Sequence, residues 1–152
     1  MSSFAMHVDL AGLESTIQDM QTKVQDAARP AAQAAAQVLY DQAKQNAAAI
    51  GRVTGKLSAA IYQAYSQDHS RPGVATYHVS WNASKAPHGH LVEFGHIQRY
   101  KVYLGKDGKW HTNKRAPIAP RHVAARPFLR PAWDHIDRAM AAAEAKFHEV
   151  MA

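Results

Sequence analysis

The residues best suited to chemistry lie in one short run, His88-Gly89-His90-Leu91-Val92-Glu93-Phe94-Gly95-His96, which gathers three of the chain's ten histidines around one carboxylate. Zinc accepts such ligands. The run does not follow the His-Glu-x-x-His spacing that puts two imidazoles on one helical face, and a glycine interrupts each end, so it is read as surface and hydrogen-bonding groups, with no metal assigned. A second fragment, Gly51-Arg52-Val53-Thr54-Gly55-Lys56-Leu57, has the look of a phosphate-binding loop. That motif needs glycine five residues before its Gly-Lys pair and a hydroxyl residue after the lysine, whereas this chain has Ile50 and Leu57, downstream of a helical pattern. The sequence has no strained Gly-x-Ser-x-Gly turn for a serine nucleophile and no cysteine for a thiolate or a disulfide. Most of the twelve acids fall on predicted helix surfaces, with no pair placed for glycosidic chemistry. No catalytic residue and no cofactor is assigned, and the chain is read as a non-enzyme.

Glu93 stands apart from the other acids because apolar Val92 and Phe94 flank it, which predicts a partly buried carboxylate in need of a partner. Arg126 and Arg130, on either side of Pro127-Phe128-Leu129, are the candidate partners, since a guanidinium can meet a carboxylate with two hydrogen bonds. The alternative is a Glu93 solvated at a helix end.

The formal charge of +6 is unevenly placed. Residues 1–50 carry more acids than bases, whereas residues 99–130 hold Arg99, Lys101, Lys106, Lys109, Lys114, Arg115, Arg121, Arg126 and Arg130 against Asp107 alone. Such a stretch suits DNA or an acidic protein surface; it also suits a solvated hairpin that keeps a half-exposed sheet soluble.

The elements that must position these groups follow from periodicity. Leu10, Leu13, Ile17, Met20, Val24, Ala27, Ala31, Ala35 and Val38 recur at steps of three and four, the mark of one buried helical face. Pro30 lies inside it and predicts a kink or break, giving helical pieces over roughly 9–28 and 31–49. Leu57, Ala60, Ile61 and Tyr65 predict a short helix after Gly55. Beyond Pro72-Gly73 the period becomes two, with Ala75, Tyr77, Val79 and Trp81 on one face of a half-buried strand. Tyr100 to Leu104 and Lys109 to His111 flank Gly105-Lys106-Asp107-Gly108 as a hairpin. Pro117, Pro120, Pro127 and Pro131 make about 116–131 an extended or irregular connector. From Pro131 onward Trp133, Ile136, Met140, Phe147 and Val150 predict the apolar stripe of a last helix, packed on the sheet or on the first helix. The expected fold is one α+β domain over 1–152: a long kinked N-terminal helix, a small antiparallel sheet and a C-terminal helix. No apolar run is long enough to span a bilayer and no basic-then-apolar leader opens the chain, so no membrane is expected and synthesis should end in the cytoplasm.

Three motifs stand in order: Thr54-Gly55-Lys56-Leu57, then Leu91-Val92-Glu93-Phe94-Gly95, then Arg126-Pro127-Phe128-Leu129-Arg130-Pro131-Ala132. In that order the chain resembles the head-to-tail joining family of tailed bacteriophages, also known as tail completion or neck proteins, over most of its length. The family commonly has threonine after Glu-Phe-Gly, where this chain has His96, and often an aromatic in place of Leu91. The resemblance implies a virion protein, made in the host cytoplasm, that joins the head connector to the tail tube or completes the tail end. It would act by assembly into a homo-oligomeric ring, with other neck or tail proteins as partners. The basic residues Arg99, Lys101, Lys106, Lys109, Lys114 and Arg115 would then meet DNA or an acidic neighbour. The competing reading is a nucleic-acid-binding module, in which Tyr100, Tyr103 and Trp110 stack bases between phosphate-binding lysines.

Overall fold

The computed structural model describes residues 10–51 and 55–152. Thr54 of the first motif, Arg52 and Val53 of the phosphate-loop-like fragment and residue 9, where the first helix was expected to begin, lie outside the described residues. The described elements are helix α1 (Ala11–Ala49), helix α2 (Lys56–Ala60), strand β1 (Ile61–Tyr65), strand β2 (Tyr77–Trp81), helix α3 (Gly89–Phe94), strand β3 (His96–Leu104), strand β4 (Trp110–Val123), a 3-10 segment (Arg130–His135) and helix α4 (Ile136–Met151). Strand β1 pairs with β2 and β3 with β4, two small sheets between helices, so the chain is α+β with a long first helix and a C-terminal helix. No helix among the described residues is long and apolar enough to cross a membrane.

The expected division of the first helix at Pro30 does not occur: α1 runs unbroken from Ala11 to Ala49 with Pro30 inside it. Proline in a helix interior costs about 3 kcal/mol. Here it stands between Ala27 and Ala31, both buried, in an alanine-rich run whose intrinsic preference is helical on either side. The apolar stripe also departs from expectation. Its C-terminal part is buried at Ala27 and Ala31 and half-buried at Ala35 and Val38, while Leu10, Leu13, Ile17, Met20 and Val24 are 41 to 60% exposed.

Ile61 to Tyr65 is the second correction. Helical spacing predicted a helix through Tyr65, but helix α2 ends at Ala60 and the next five residues form β1 with an alternating burial pattern. Branched and aromatic side chains at Ile61, Tyr62 and Tyr65 suit a pleated strand, and a run this short fits both periods.

The third concerns the prolines. Strand β4 continues through Pro117 and Pro120 to Val123, in the first half of the expected connector. In a two-stranded ribbon each strand is an edge, where a missing N–H costs no ladder bond. The register explains where they sit. Lys101 is opposite Asn113, Tyr100 opposite Pro117 and Gln98 opposite Arg121, so β4 bulges on both sides of Pro117, with Pro120 among the surplus residues and Pro117 between the two bulges.

The chain divides into two compact units. One comprises the described residues up to Val38, Gln63–His78 and Asp137–Ala152. It buries Ala27, Ala31, Ala36 and Ala139, sets Tyr65 edge-on to Tyr77 at 5.5 Å and places the Arg29 guanidinium 4.3 Å from the centre of the Tyr65 ring. On α4 it is Ala139 that is buried, whereas Met140 and Val150 of the predicted stripe are exposed. The other unit comprises Leu39–Tyr62 and Val79–Ile136. Its core is Ala43, Ala47, Ile61, Phe128 and Ala132, with Tyr40, Ile50, Leu57, Val79, Trp81, Val92 and Leu129 packed around them. Trp133, expected in the stripe of the last helix, is 65% exposed in the 3-10 segment.

Candidate functional site

The three sequence motifs meet at this second core. Leu57, Val92, Phe128 and Leu129 belong to it, one or two from each motif. Phe128 is fully buried and meets Trp81 edge to face at 5.7 Å between ring centres. Gly89 lies flat against the Trp81 ring, and a Cβ there would collide with it.

Glu93 is buried beside Phe128 and is the sole buried charged side chain among the described residues. Its partners are mainly backbone. Phe128 and Leu129 donate their amide N–H groups to Oε2 at 2.7 and 3.0 Å, and the Arg130 amide donates to Oε1 at 3.0 Å. The Arg130 guanidinium adds Nε to Oε1 at 3.2 Å and reaches the Glu93 carbonyl oxygen at 2.6 Å. Pro127 and Pro131 have no N–H to give, so the two prolines bracket the three consecutive donors that the carboxylate collects. These donors open the 3-10 segment, and a carboxylate there accepts N–H groups that the segment itself leaves unpaired. Burial raises the Glu93 carboxyl's pKa. The amides of Phe128, Leu129 and Arg130, followed by the Arg130 guanidinium, outweigh burial and leave it below its ordinary value.

Of the two candidate arginines, Arg130 pairs with Glu93, while Arg126 is tied in by its backbone, donating its N–H to the Val92 carbonyl at 2.8 Å. Phe94 points away from the core, 64% exposed, with the Arg130 guanidinium 5.1 Å from its ring centre. Gly95 takes φ +74°, and a Cβ there would stand 2.8 Å from both the Ala125 nitrogen and the Val123 oxygen, so only glycine lets β3 leave α3 beside the end of β4. Gly55, also left-handed at φ +71°, precedes α2. Two supports of this site, Asn46 and Trp81, lie outside the three motifs. Asn46 donates Nδ2 to the Phe128 carbonyl at 3.1 Å, and its signal was an amide among Ala43 and Ala47 on a buried helix face. Trp81 was read as a strand residue without its role as the wall behind Phe128.

The β3–β4 hairpin is built differently. Its turn is closed by Gly105 N–H to the Lys109 carbonyl at 2.8 Å and by Asp107, whose Oδ1 accepts from the Lys109 amide at 3.1 Å and lies 3.0 Å from His111 Nε2. Those contacts, the His111 hydrogen bond first, lower the Asp107 pKa. Arg99, Lys101, Lys106, Lys109, Lys114 and Arg115 are all exposed on it. So are Tyr100, Val102, Tyr103, Leu104 and Trp110, on both faces of the ribbon. Among the described residues no three His, Asp or Glu side chains come together as a metal site.

The geometry is therefore one of a completed clamp and an uncovered, basic, aromatic hairpin. No curated protein and no solved structure matches the chain. The family model described as "Bacteriophage HK97-gp10, putative tail-component" matches residues 11–95, from the start of α1 through Gly95 and short of the Arg126 motif. That is more than half of the 152 residues, and the chain belongs to this family of phage tail components.

Proposed function

We propose that this chain is a virion structural protein that joins the head connector to the tail, or completes the tail end, by assembling into a ring without catalysis. Family membership supplies the tail; one structural observation supports the assembly. A large share of the apolar side chains is uncovered: Leu10 through Val24 on α1, and Val102, Tyr103, Leu104 and Trp110 on the hairpin. Soluble monomers rarely leave contiguous apolar surface of that extent, and such patches mark sites where other chains bind. The Glu93 clamp has the opposite role. Its buried carboxylate is satisfied within the chain, so it holds the last segment in place for the surfaces that act.

Quantitative mass spectrometry of purified virions tests the reading, with the major capsid and tail-tube proteins as internal standards. The expected result is a few copies per particle, as one ring requires; absence from intact particles overturns it.

The exposure of Tyr100, Tyr103 and Trp110 among lysines favours a second reading, nucleic-acid contact by the hairpin. Affinity for DNA that falls steeply with added salt would support it, since phosphate contacts release counterions.

A further inference from the structure

The second unit contains a cavity of about 900 Å³ that, apart from Lys56, is lined by residues outside the three motifs. Its lining includes Lys85, Lys109, His88 and His96 around Val102 and Trp110, with no acidic residue. Lys56 also lines it, and together with burial and His90 lowers the His88 pKa: burial contributes most, then Lys56, then His90. His96 has its Nδ1 buried with no hydrogen-bond partner. A site of this size takes several side chains, and its walls ask for an occupant that is apolar along one strip and negatively charged overall.

The chain carries such a segment. Along the first four turns of α1, Leu10, Leu13, Ile17, Met20 and Val24 repeat at strict steps of three and four, the spacing of a helix that lies along a partner. The strip continues directly into Ala27 and Ala31, which are buried, so the exposed part prolongs a seam already used for packing. Glu14 flanks the strip, and Glu14 and Asp19 against Lys23 leave the segment from Leu10 to Val24 with a net charge of −1. Helix α4 is net negative too, but its exposed large apolar side chains are Met140 and Val150, ten residues apart and on different faces, so they form no strip.

We propose that the cavity beside the hairpin receives the first four turns of α1 from a second copy of this chain. The contact is heterologous, one face meeting a different face of the next copy, and therefore propagates head to tail until it closes. It rests on the ring reading above and supplies the interface that reading lacks. Lys85 and Lys109 steer and orient the incoming helix, and Trp110 and Val102 cover its apolar strip.

The native chain has no cysteine, so introduced pairs report without background. Full-length chains carrying Ile17→Cys and, separately, Ala59→Cys, a residue on the cavity wall, are mixed at equal concentration and oxidised mildly. The expected product is the mixed disulfide dimer, in excess over both homodimers. Lys85→Glu with Lys109→Glu in the Ala59→Cys chain lowers its yield about tenfold, as loss of two charge contacts predicts. Particles assembled from the doubly substituted Ile17→Cys, Ala59→Cys chain give a ladder of linked copies on a non-reducing gel. Three results overturn the proposal: a statistical mixture of dimers, an intramolecular disulfide in the doubly substituted chain, or a lysine double variant that loses DNA binding but keeps its disulfide yield. Particles that contain the protein yet show no ladder defeat this interface and leave the ring reading standing. Absence of the protein from particles defeats the ring reading, while the disulfide yield in solution still decides the interface.

Discussion

Glu93 and Trp110 lie in the same compact unit, and their surroundings could hardly differ more. Around Glu93 three amides and a guanidinium converge on one carboxylate, and the neighbouring Phe128 is sealed between Trp81 and the alanines of α1. Along the hairpin the aromatic rings face solvent on both sides of a two-stranded ribbon, held chiefly by its own ladder and turn. A buried charge that keeps all its partners is costly to disturb but contributes little to recognition. An exposed aromatic strand contributes little to the fold and has much apolar area left to cover. The contrast separates residues that complete this chain from residues that await another, and substitutions should separate the same way.

The largest effect is expected from Phe128→Ala, which empties the middle of the second core and removes the edge contact with Trp81. Large-to-small changes of this kind cost about 3 to 5 kcal/mol. For a chain of this length that lowers the melting temperature by on the order of 10 °C, readable by circular dichroism. Glu93→Ala should come close behind, at about 3 kcal/mol, because it strands the donors of Phe128, Leu129 and Arg130 in a buried place. Glu93→Gln keeps one acceptor and should recover part of the loss in urea unfolding. If both Glu93 variants unfold with the native protein, the clamp is a bystander.

Next in size is the pH response. The folded protein holds the Glu93 carboxyl's pKa below its unfolded value, so the unfolded chain binds the proton more readily. The stabilisation is complete above the ordinary glutamate range and is lost as pH falls through the folded pKa. Denaturation midpoints should therefore drop on acidification in the native protein and drop less in Glu93→Gln. Equal slopes for the two would remove Glu93 from the acid sensitivity.

The sequence disclosed the clamp more fully than the elements around it. An acid between Val92 and Phe94 had to find partners, and two arginines about a Pro-Phe-Leu run were the candidates in reach. What stayed hidden was that most of the partners are main-chain amides, which no side-chain pattern announces, although the prolines on both sides marked where the donors begin and end. The helical strip from Leu10 to Val24 was legible as a strip but not as an uncovered one. Periodicity reports that a face is apolar and is silent on whether the cover comes from the same chain. Ile61 to Tyr65 was misread because five residues satisfy both helical and strand spacing. Pro117 and Pro120 argued against a strand only on the assumption of a central one, and the bulged edge of a two-stranded ribbon does not meet it. The cavity lined by Lys85, His88, His96 and Trp110 joins segments far apart in sequence, and no local motif could have gathered them.

The smallest effect on stability, and the sharpest test of the contrast, belongs to the hairpin. Tyr103→Ser with Trp110→Ser removes two rings that are 53 and 56% exposed. Exposed substitutions away from special backbone or buried partners usually stay within about 0.5 kcal/mol. Tyr103 does stack on His111, at 5.6 Å between ring centres, so a few tenths of that loss has an identified source. Thermal unfolding should accordingly be nearly unchanged, while attachment of tails to heads, scored by electron microscopy of particles grown with the variant, should fall sharply. Normal particles from this double variant would mean that the exposed rings are not a docking surface. A folded protein that no longer supports assembly would make these rings a contact surface: with another chain if the variant's affinity for DNA equals the native protein's, and with nucleic acid if that affinity falls as well.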